Sequence, residues 1–184
     1  MKKREVSAED NEHLMLLRAN VESFMVRVSR QYTRGPALLL DVAPQDHKGA
    51  RPFFGTEIQI ETLDIDPASG ATHIADLCRC SATIEADRYD FIVCTEVLEH
   101  TRQPFDAVSS IYQMLKHGGI AFITTPFNFR IHGPLPDCWR FTEHGLRELF
   151  KNFEIVELEA LECETRFLMP IQYTLVARKP IFKG

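Results

Sequence analysis

The sequence predicts an α/β sandwich with a mainly parallel, trimmed sheet, an antiparallel last strand and an N-terminal helix. Three observations predict it. Short apolar runs without alternation recur along the chain, as in strands buried on both faces. Helical stretches with one apolar stripe stand among them. Glycine and proline mark the joins.

The N-terminal helix comes first. Ser7-Ala-Glu-Asp10 has the form of a capping box, with Asp in place of the usual Glu or Gln. Behind it Leu14, Leu17, Val21, Phe24, Val28 and Tyr32 recur at steps of three or four, one stripe on a helix running to about Tyr32. The stripe suits first a helix packed on the domain; the sharper alternative is a lid that also closes over a ligand. Gly35-Pro36 ends the segment. Residues 1–34 are therefore read as a helix packed on or capping the domain proper, residues 35–184.

Ala37 to Val42 is the first strand and Glu57 to Asp64 the second, closed by Asp66-Pro67. Tyr89 to Cys94 is again apolar throughout. Pro104 to Lys116 reads as a helix, with Gly118-Gly119 as its stop. Ile120 to Thr125 is the next strand, followed by a polar loop from Pro126 to Phe141. Thr142 caps a short helix through Phe150. Glu154 to Leu161 and Ile171 to Arg178 form an antiparallel pair, with Pro170 at the entry, where proline is tolerated. Only 22 residues separate Asp66 from Tyr89. A parallel crossover needs a dozen or more, normally with a helix. Thr72 to Leu77 is at most a short extra strand, and the sheet is expected to be trimmed there.

Composition narrows the function. The chain has 184 residues, 45% hydrophobic and 26% charged, enough for one domain with a core. A net charge of −5 argues against a nucleic-acid reader, and Met1-Lys-Lys-Arg4 is too short for a basic patch. No apolar run approaches the roughly 18 residues of a membrane span. The acidic N-terminus does not read as a signal peptide. The five cysteines are odd in number and lack Cys-x-x-Cys spacing, which reads as reduced thiols in a cytoplasmic protein. No metal site is expected, because Glu99-His100 lacks the paired histidine of a His-Glu-x-x-His motif.

Open α/β sheets bind ligands beyond the carboxyl ends of their strands. Asp41, Asp64, Asp76 and Thr95-Glu96 fall at that edge. An acid ending the second strand suits ribose hydroxyls, since a carboxylate accepts from both. Asp64 is better placed for this than Asp66, which begins the turn before Pro67. A single such Asp serves equally well as a loop cap; several in register favour a ligand.

Tyr89-Asp-Phe-Ile-Val-Cys-Thr-Glu-Val-Leu-Glu-His100, a helix ending Met-Leu-Lys-His-Gly-Gly119, and Ile-Ala-Phe-Ile-Thr-Thr-Pro126 together resemble the class I S-adenosylmethionine-dependent methyltransferases. The resemblance covers about Ala37 to Arg178. Phe129-Arg-Ile-His-Gly-Pro-Leu-Pro-Asp-Cys-Trp-Arg-Phe-Thr142 is similar to a bacterial subgroup associated with surface-polysaccharide biosynthesis. The resemblance implies a Rossmann-like fold with S-adenosylmethionine as cofactor. It also implies roles: Asp41 ends the cofactor strand, Asp64 holds the ribose, Asp76 and the Leu77 backbone meet adenine, and Glu96 lies toward the methionine or substrate. The family's Asp-x-Gly-x-Gly loop reads Asp41-Val-Ala-Pro-Gln45 here, with Ala43 and Gln45 in the glycine places. Either the loop takes another path and still binds, or the pocket is lost.

His132 and His100 are the candidate proton acceptors, since imidazole titrates near neutrality. Arg130, Asp137, Trp139 and Arg140 are candidate acceptor-binding residues: guanidinium donors, a carboxylate and a flat ring in one proline-stiffened loop. In the opposing reading, Trp139 packs inward, Arg140 pairs with an acid, and the loop is a brace. The expected activity is methyl transfer to an oxygen or nitrogen of a small molecule, with a sugar or glycan precursor as one candidate. The rivals are a non-catalytic relative with a degenerate cofactor loop and, less well matched, a nicotinamide-dependent dehydrogenase.

Overall fold

A computed structural model of the chain describes residues 6–44, 49–163 and 166–181. Its elements in chain order are α1 (Ala8–Tyr32), β1 (Ala37–Val42), β2 (Ile58–Asp64), β3 (His73–Ile74), β4 (Tyr89–Thr95), α2 (Pro104–Met114), β5 (Leu115–Pro126), α3 (Glu143–Leu149), β6 (Glu154–Leu161) and β7 (Gln172–Arg178). The strands form a seven-stranded sheet in the order β3-β2-β1-β4-β5-β7-β6. The first five in that order run parallel, and β7 lies antiparallel between β5 and β6. This is the expected architecture. The trimming falls on β3, which is two residues long, and on the connections: a single 3-10 turn, Cys80–Ala82, stands between β3 and β4.

Strand alternation divides the core in two. Leu40, Ile92, Ala121 and Ile123 pack on one face, with Val108, Ile111 and Met114 of α2 and Leu146 and Leu149 of α3. Their chain neighbours Leu39, Phe91, Val93 and Phe122 pack on the other, against Phe24, Met25 and Val28 of α1. Phe122 is the hub there, 5.8 Å from the Phe91 ring and 6.5 Å from that of Phe24. A helix that precedes the sheet thus covers the face left open by a sparse crossover. Its start follows the sequence: the Ser7 hydroxyl accepts from the Asp10 N–H at 3.0 Å. Among the described residues, no helix is long and apolar enough to cross a membrane.

One boundary differs from the sequence reading. Helix α2 ends at Met114, and Leu115 already pairs with Tyr89 in the sheet. Gly118-Gly119 therefore does not stop a helix. These glycines lie inside β5, where the β4–β5 register shifts between Tyr89 and Phe91. Gly118 has φ +82°, and a Cβ on Gly119 would stand 2.8 Å from the Lys116 carbonyl oxygen. A left-handed backbone at Gly118 and close backbone approach at Gly119, rather than helix termination, require glycine here.

Glu61 ties β2 to β3 and to the start of β4. Its carboxylate accepts from Arg88 Nη2 at 2.6 Å and the Tyr89 hydroxyl at 2.7 Å, and lies 2.8 Å from His73 Nε2. Burial acts to raise the Glu61 pKa, but the bonds from Arg88, His73 and Tyr89 outweigh it and bring it down to about 2. A depressed carboxylate pKa stabilises the fold fully above the unfolded value near 4.5 and loses that contribution as pH falls toward 2. Glu61→Gln is expected to destabilise the protein by about 1–3 kcal/mol at pH 7. Urea unfolding of both proteins from pH 7 to pH 3 checks this, and the gap should narrow at the acid end.

Candidate active site

At the carboxyl edge of the sheet the chain leaves β1 through Ala43, which has φ +50°. This is the left-handed backbone that glycine adopts most easily. The Ala43 N–H still donates to the Leu63 carbonyl at 2.7 Å, so Ala43 keeps the turn close to β2. Asp41 does not extend into the larger of the two cavities described below. It is buried, and its Oδ2 accepts from the Ala50 N–H at 2.6 Å. Burial pushes the Asp41 carboxyl up to about 6 against that bond. Gly49, with φ +51°, passes so close that a Cβ would overlap Asp41 Oδ2 and lie 2.5 Å from Pro44 Cβ. Gln45 lies outside the described residues.

A cavity of about 1050 Å³ opens beside this turn, walled by Ala43, Asp64, Asp76, Leu77, Glu96 and His100 among others. Asp64 ends β2, is 9% exposed, and accepts at Oδ1 from the Asp66 N–H. Asp66 starts the next turn, with its carbonyl accepting from the Ser69 N–H. Asp76 holds a turn through the Cys78 N–H at 2.9 Å. The carboxylates on this wall fit a ligand with hydroxyls and cationic groups.

A second cavity, about 450 Å³, lies under α1. Leu14, Leu17, Arg18, Val21, Glu22 and Met25 of α1 line it on one side, Phe129 and His132 on another. The two cavities share Ala43, Pro44, Glu96, His100, Gly133 and Pro134. α1 is therefore both a packed helix and a wall of the site.

Glu96 stands at the junction. It has φ +55°, and its Oε1 accepts from Thr124 Oγ1 at 2.8 Å and Gln172 Nε2 at 2.7 Å. Burial pushes the Glu96 carboxyl up to about 7 despite these bonds. Three residues on, Glu99 has no exposed surface. Its backbone carbonyl accepts from the Cys138 and Trp139 N–H groups, which fastens the 127–141 loop to it. Burial and the nearby Glu96 charge raise the Glu99 pKa.

In the same loop the charged side chains expected to meet an acceptor bond largely within the loop itself. Arg140 pairs with Asp137, donates from Nη2 at 2.8 Å, and spends its other described bonds on the Phe129, Arg130 and Trp139 carbonyls. The bonds from Arg140 hold the Asp137 carboxyl well below the usual range. Asp137 in turn accepts from the His132 N–H at 2.9 Å and lies 3.1 Å from His132 Nδ1. Trp139 donates to the Thr101 carbonyl and stacks on Phe141. Arg130, Asp137, Trp139 and Arg140 line neither cavity. Asp137 and Arg140 are turned into the loop's own bonding, so they position His132 and brace the turn. His100 and His132 do reach the site, with ring centroids 4.8 Å apart.

Parallel strands in this order, with carboxylates at their ends and a cleft beyond them, define a Rossmann-like domain with a ligand site at its carboxyl edge. Residues 19–158 match the family model for a methyltransferase domain, and the chain belongs to that family, the class I S-adenosylmethionine-dependent methyltransferases. S-adenosylmethionine is its cofactor. Over 101 residues, 52% of this chain, it is 32% identical to polyketide synthase ThaQ of Burkholderia thailandensis, of whose length the match spans 4%. Among solved structures it is similar to the [4+2]-cyclase SpnF (TM-score 0.69, 17% identity, 89% of this chain and 81% of that one). It is also similar to the 1,6-didemethyltoxoflavin N1-methyltransferase of B. thailandensis (TM-score 0.62, 16% identity, 97% and 93%). The family match does not narrow the chain to the polysaccharide-associated subgroup.

Sequence reasoning offered α1 as a lid but did not single out Arg18 and Glu22 as lining, and it missed Gly49 and the buried side chain of Glu99. The one available signal was Gly49 itself, the first glycine after β1. Opposite effects are expected in the β1 turn. Ala43→Gly relieves a left-handed alanine and should stabilise the protein by up to about 1 kcal/mol without weakening cofactor binding. Gly49→Ala should destabilise it by about 1–3 kcal/mol through overlap with Asp41. Thermal melts of the two variants check the pair of signs.

Proposed function

We propose that the protein transfers a methyl group from S-adenosylmethionine to an oxygen or nitrogen of a small molecule. The observation that carries this reading is the pair of joined cavities meeting at Glu96 and His100. The larger suits the cofactor. Asp64 is placed to accept from ribose hydroxyls, Asp76 and the Leu77 backbone to meet the adenine edge, and Glu96 to face the cationic methionine end. The bound cofactor supplies an electrophilic methyl on a positively charged sulfur. A cation near Glu96 favours its ionised form.

The smaller cavity suits the acceptor. Arg18 and Glu22 of α1 bring a donor and an acceptor to a wall that is otherwise mostly apolar. A sugar or glycan precursor is one acceptor such a polar pair fits. Burial holds the His132 pKa down against the charge of Asp137, which favours a neutral imidazole able to take a proton. His100, at the junction, is the second candidate. The unpaired Cys78, Cys80, Cys94 and Cys138 support a reducing, cytoplasmic setting. The rival is a relative that binds without methylating. The substituted β1 loop favours it, and so does likeness to a protein named as a cyclase.

Calorimetry with S-adenosylmethionine and S-adenosylhomocysteine tests the reading. Binding of either supports it; no heat at millimolar ligand overturns it. Asp64→Ala should weaken that binding by about 10- to 100-fold, the value of hydrogen bonds to a charged group. His132→Ala should leave cofactor affinity unchanged.

A further inference from the structure

The Glu99 carboxylate has no exposed surface, and neither of its oxygens has a hydrogen-bond partner among the described residues. Two imidazoles face it instead. His100 Nε2 lies 3.7 Å and His132 Nε2 3.8 Å from Glu99 Oε1. Both distances are too long for hydrogen bonds. They match the roughly 3–4 Å between two ligands that share one ion at about 2.0–2.2 Å. One ligand atom from each of the three residues lies within 4.8 Å of the others.

The outer nitrogens set the tautomers. His100 Nδ1 is 3.0 Å from the Pro136 carbonyl oxygen, which only accepts, so Nδ1 carries the proton and Nε2 the lone pair. His132 Nδ1 is 3.1 Å from Asp137 Oδ2, a charge contact without hydrogen-bond angles. The Asp137 carboxylate, ionised by its Arg140 pair, favours the proton on that side. Two imidazole lone pairs thus converge on the Glu99 carboxyl group, and an ion that binds there displaces the carboxyl proton. A carbonyl or carboxylate behind each imidazole is the usual support of a metal-bound histidine.

We propose that Glu99, His100 and His132 hold a divalent first-row transition-metal ion whose open positions face the second cavity. His100 lines both cavities and His132 the second, so a ligand there reaches the ion directly. Two imidazoles and one carboxylate suit manganese, iron, cobalt or zinc better than the all-oxygen sites of magnesium and calcium. Three protein ligands leave room for an exogenous one, as in catalytic sites. The ion holds and polarises the acceptor's oxygen or nitrogen. In that state both imidazole lone pairs are committed to the ion, which makes the acceptor's own proton more acidic, and that proton leaves to water in the open second cavity rather than to His132. Metal binding stands on these side chains alone; only its role in catalysis rests on the methyltransferase reading.

The test uses the full chain stripped with chelator and titrated calorimetrically with Mn²⁺, which thiols bind poorly. One ion per chain is expected. Glu99→Gln, His100→Ala and His132→Ala should each weaken binding by at least about tenfold, while the exposed His144→Ala leaves it unchanged. For any variant that does not fold, Mn²⁺ broadening of imidazole NMR signals in the unmodified protein replaces it: two of the seven histidines should broaden first. No Mn²⁺ binding to folded protein at 1 mM overturns the proposal. So does binding that survives in all three ligand variants, or broadening spread evenly over the histidines. Titration of the metal-free protein with S-adenosylhomocysteine separates the two claims. Cofactor binding without metal binding leaves methyl transfer standing and removes the ion. Metal binding without cofactor binding does the reverse.

Discussion

A carboxylate withdrawn from water costs several kcal/mol unless something nearby compensates it, and Glu99 is withdrawn completely. Much of the site is arranged around that constraint. The 3-10 turn Leu98–His100 after β4 fixes its backbone. Its own carbonyl then collects the Cys138 and Trp139 N–H groups, and Thr101 collects the Trp139 ring N–H. These bonds draw the 127–141 loop across the sheet edge and bring His132 beside His100. Arg140 and Asp137 finish the loop from within. A substitution at Glu99 would change the chemistry of the site, while the backbone carbonyl at that position still holds the loop that forms its far wall.

The second organising element is α1. Its apolar stripe covers a sheet face that the connection from β1 to β2 leaves bare of α-helix among the described residues. The same helix continues past the sheet edge, where Arg18 and Glu22 border the smaller cavity. One element thus contributes to the core and to the proposed acceptor pocket. Changes along its stripe should be read with both roles in mind, since Leu17 and Met25 belong to each.

Much of this was legible in the sequence because periodicity and turn chemistry are local. Unalternated runs located β1, β4 and the apolar part of β5, and Ser7 and Thr142 marked helix starts that the structure keeps. The acids at strand ends were legible too, and Asp64 and Asp76 do wall the larger cavity. What was not legible depends on distance in space. His132 is remote from Glu99-His100 in sequence, so the spacing rule that denied Glu99-His100 a second histidine had no access to it. Gly118-Gly119 looks like a helix stop in any local window, and only the Lys116 and Asp90 carbonyls of the folded sheet show another reason for glycine. The 129–141 loop offered charged side chains whose partners turned out to be one another. Arg140 and Asp137 satisfy themselves, which no composition argument distinguishes from readiness to bind.

The central claim is that cofactor and acceptor occupy separate cavities joined at Glu96 and His100. A crystal structure of the protein grown with S-adenosylhomocysteine tests it most directly. The account predicts the ribose against Asp64, the adenine beside Asp76 and Leu77, the sulfur turned toward Glu96 and His100, and the cavity under α1 left open. Density for the ligand under α1, or a larger cavity empty at saturating ligand, would contradict it.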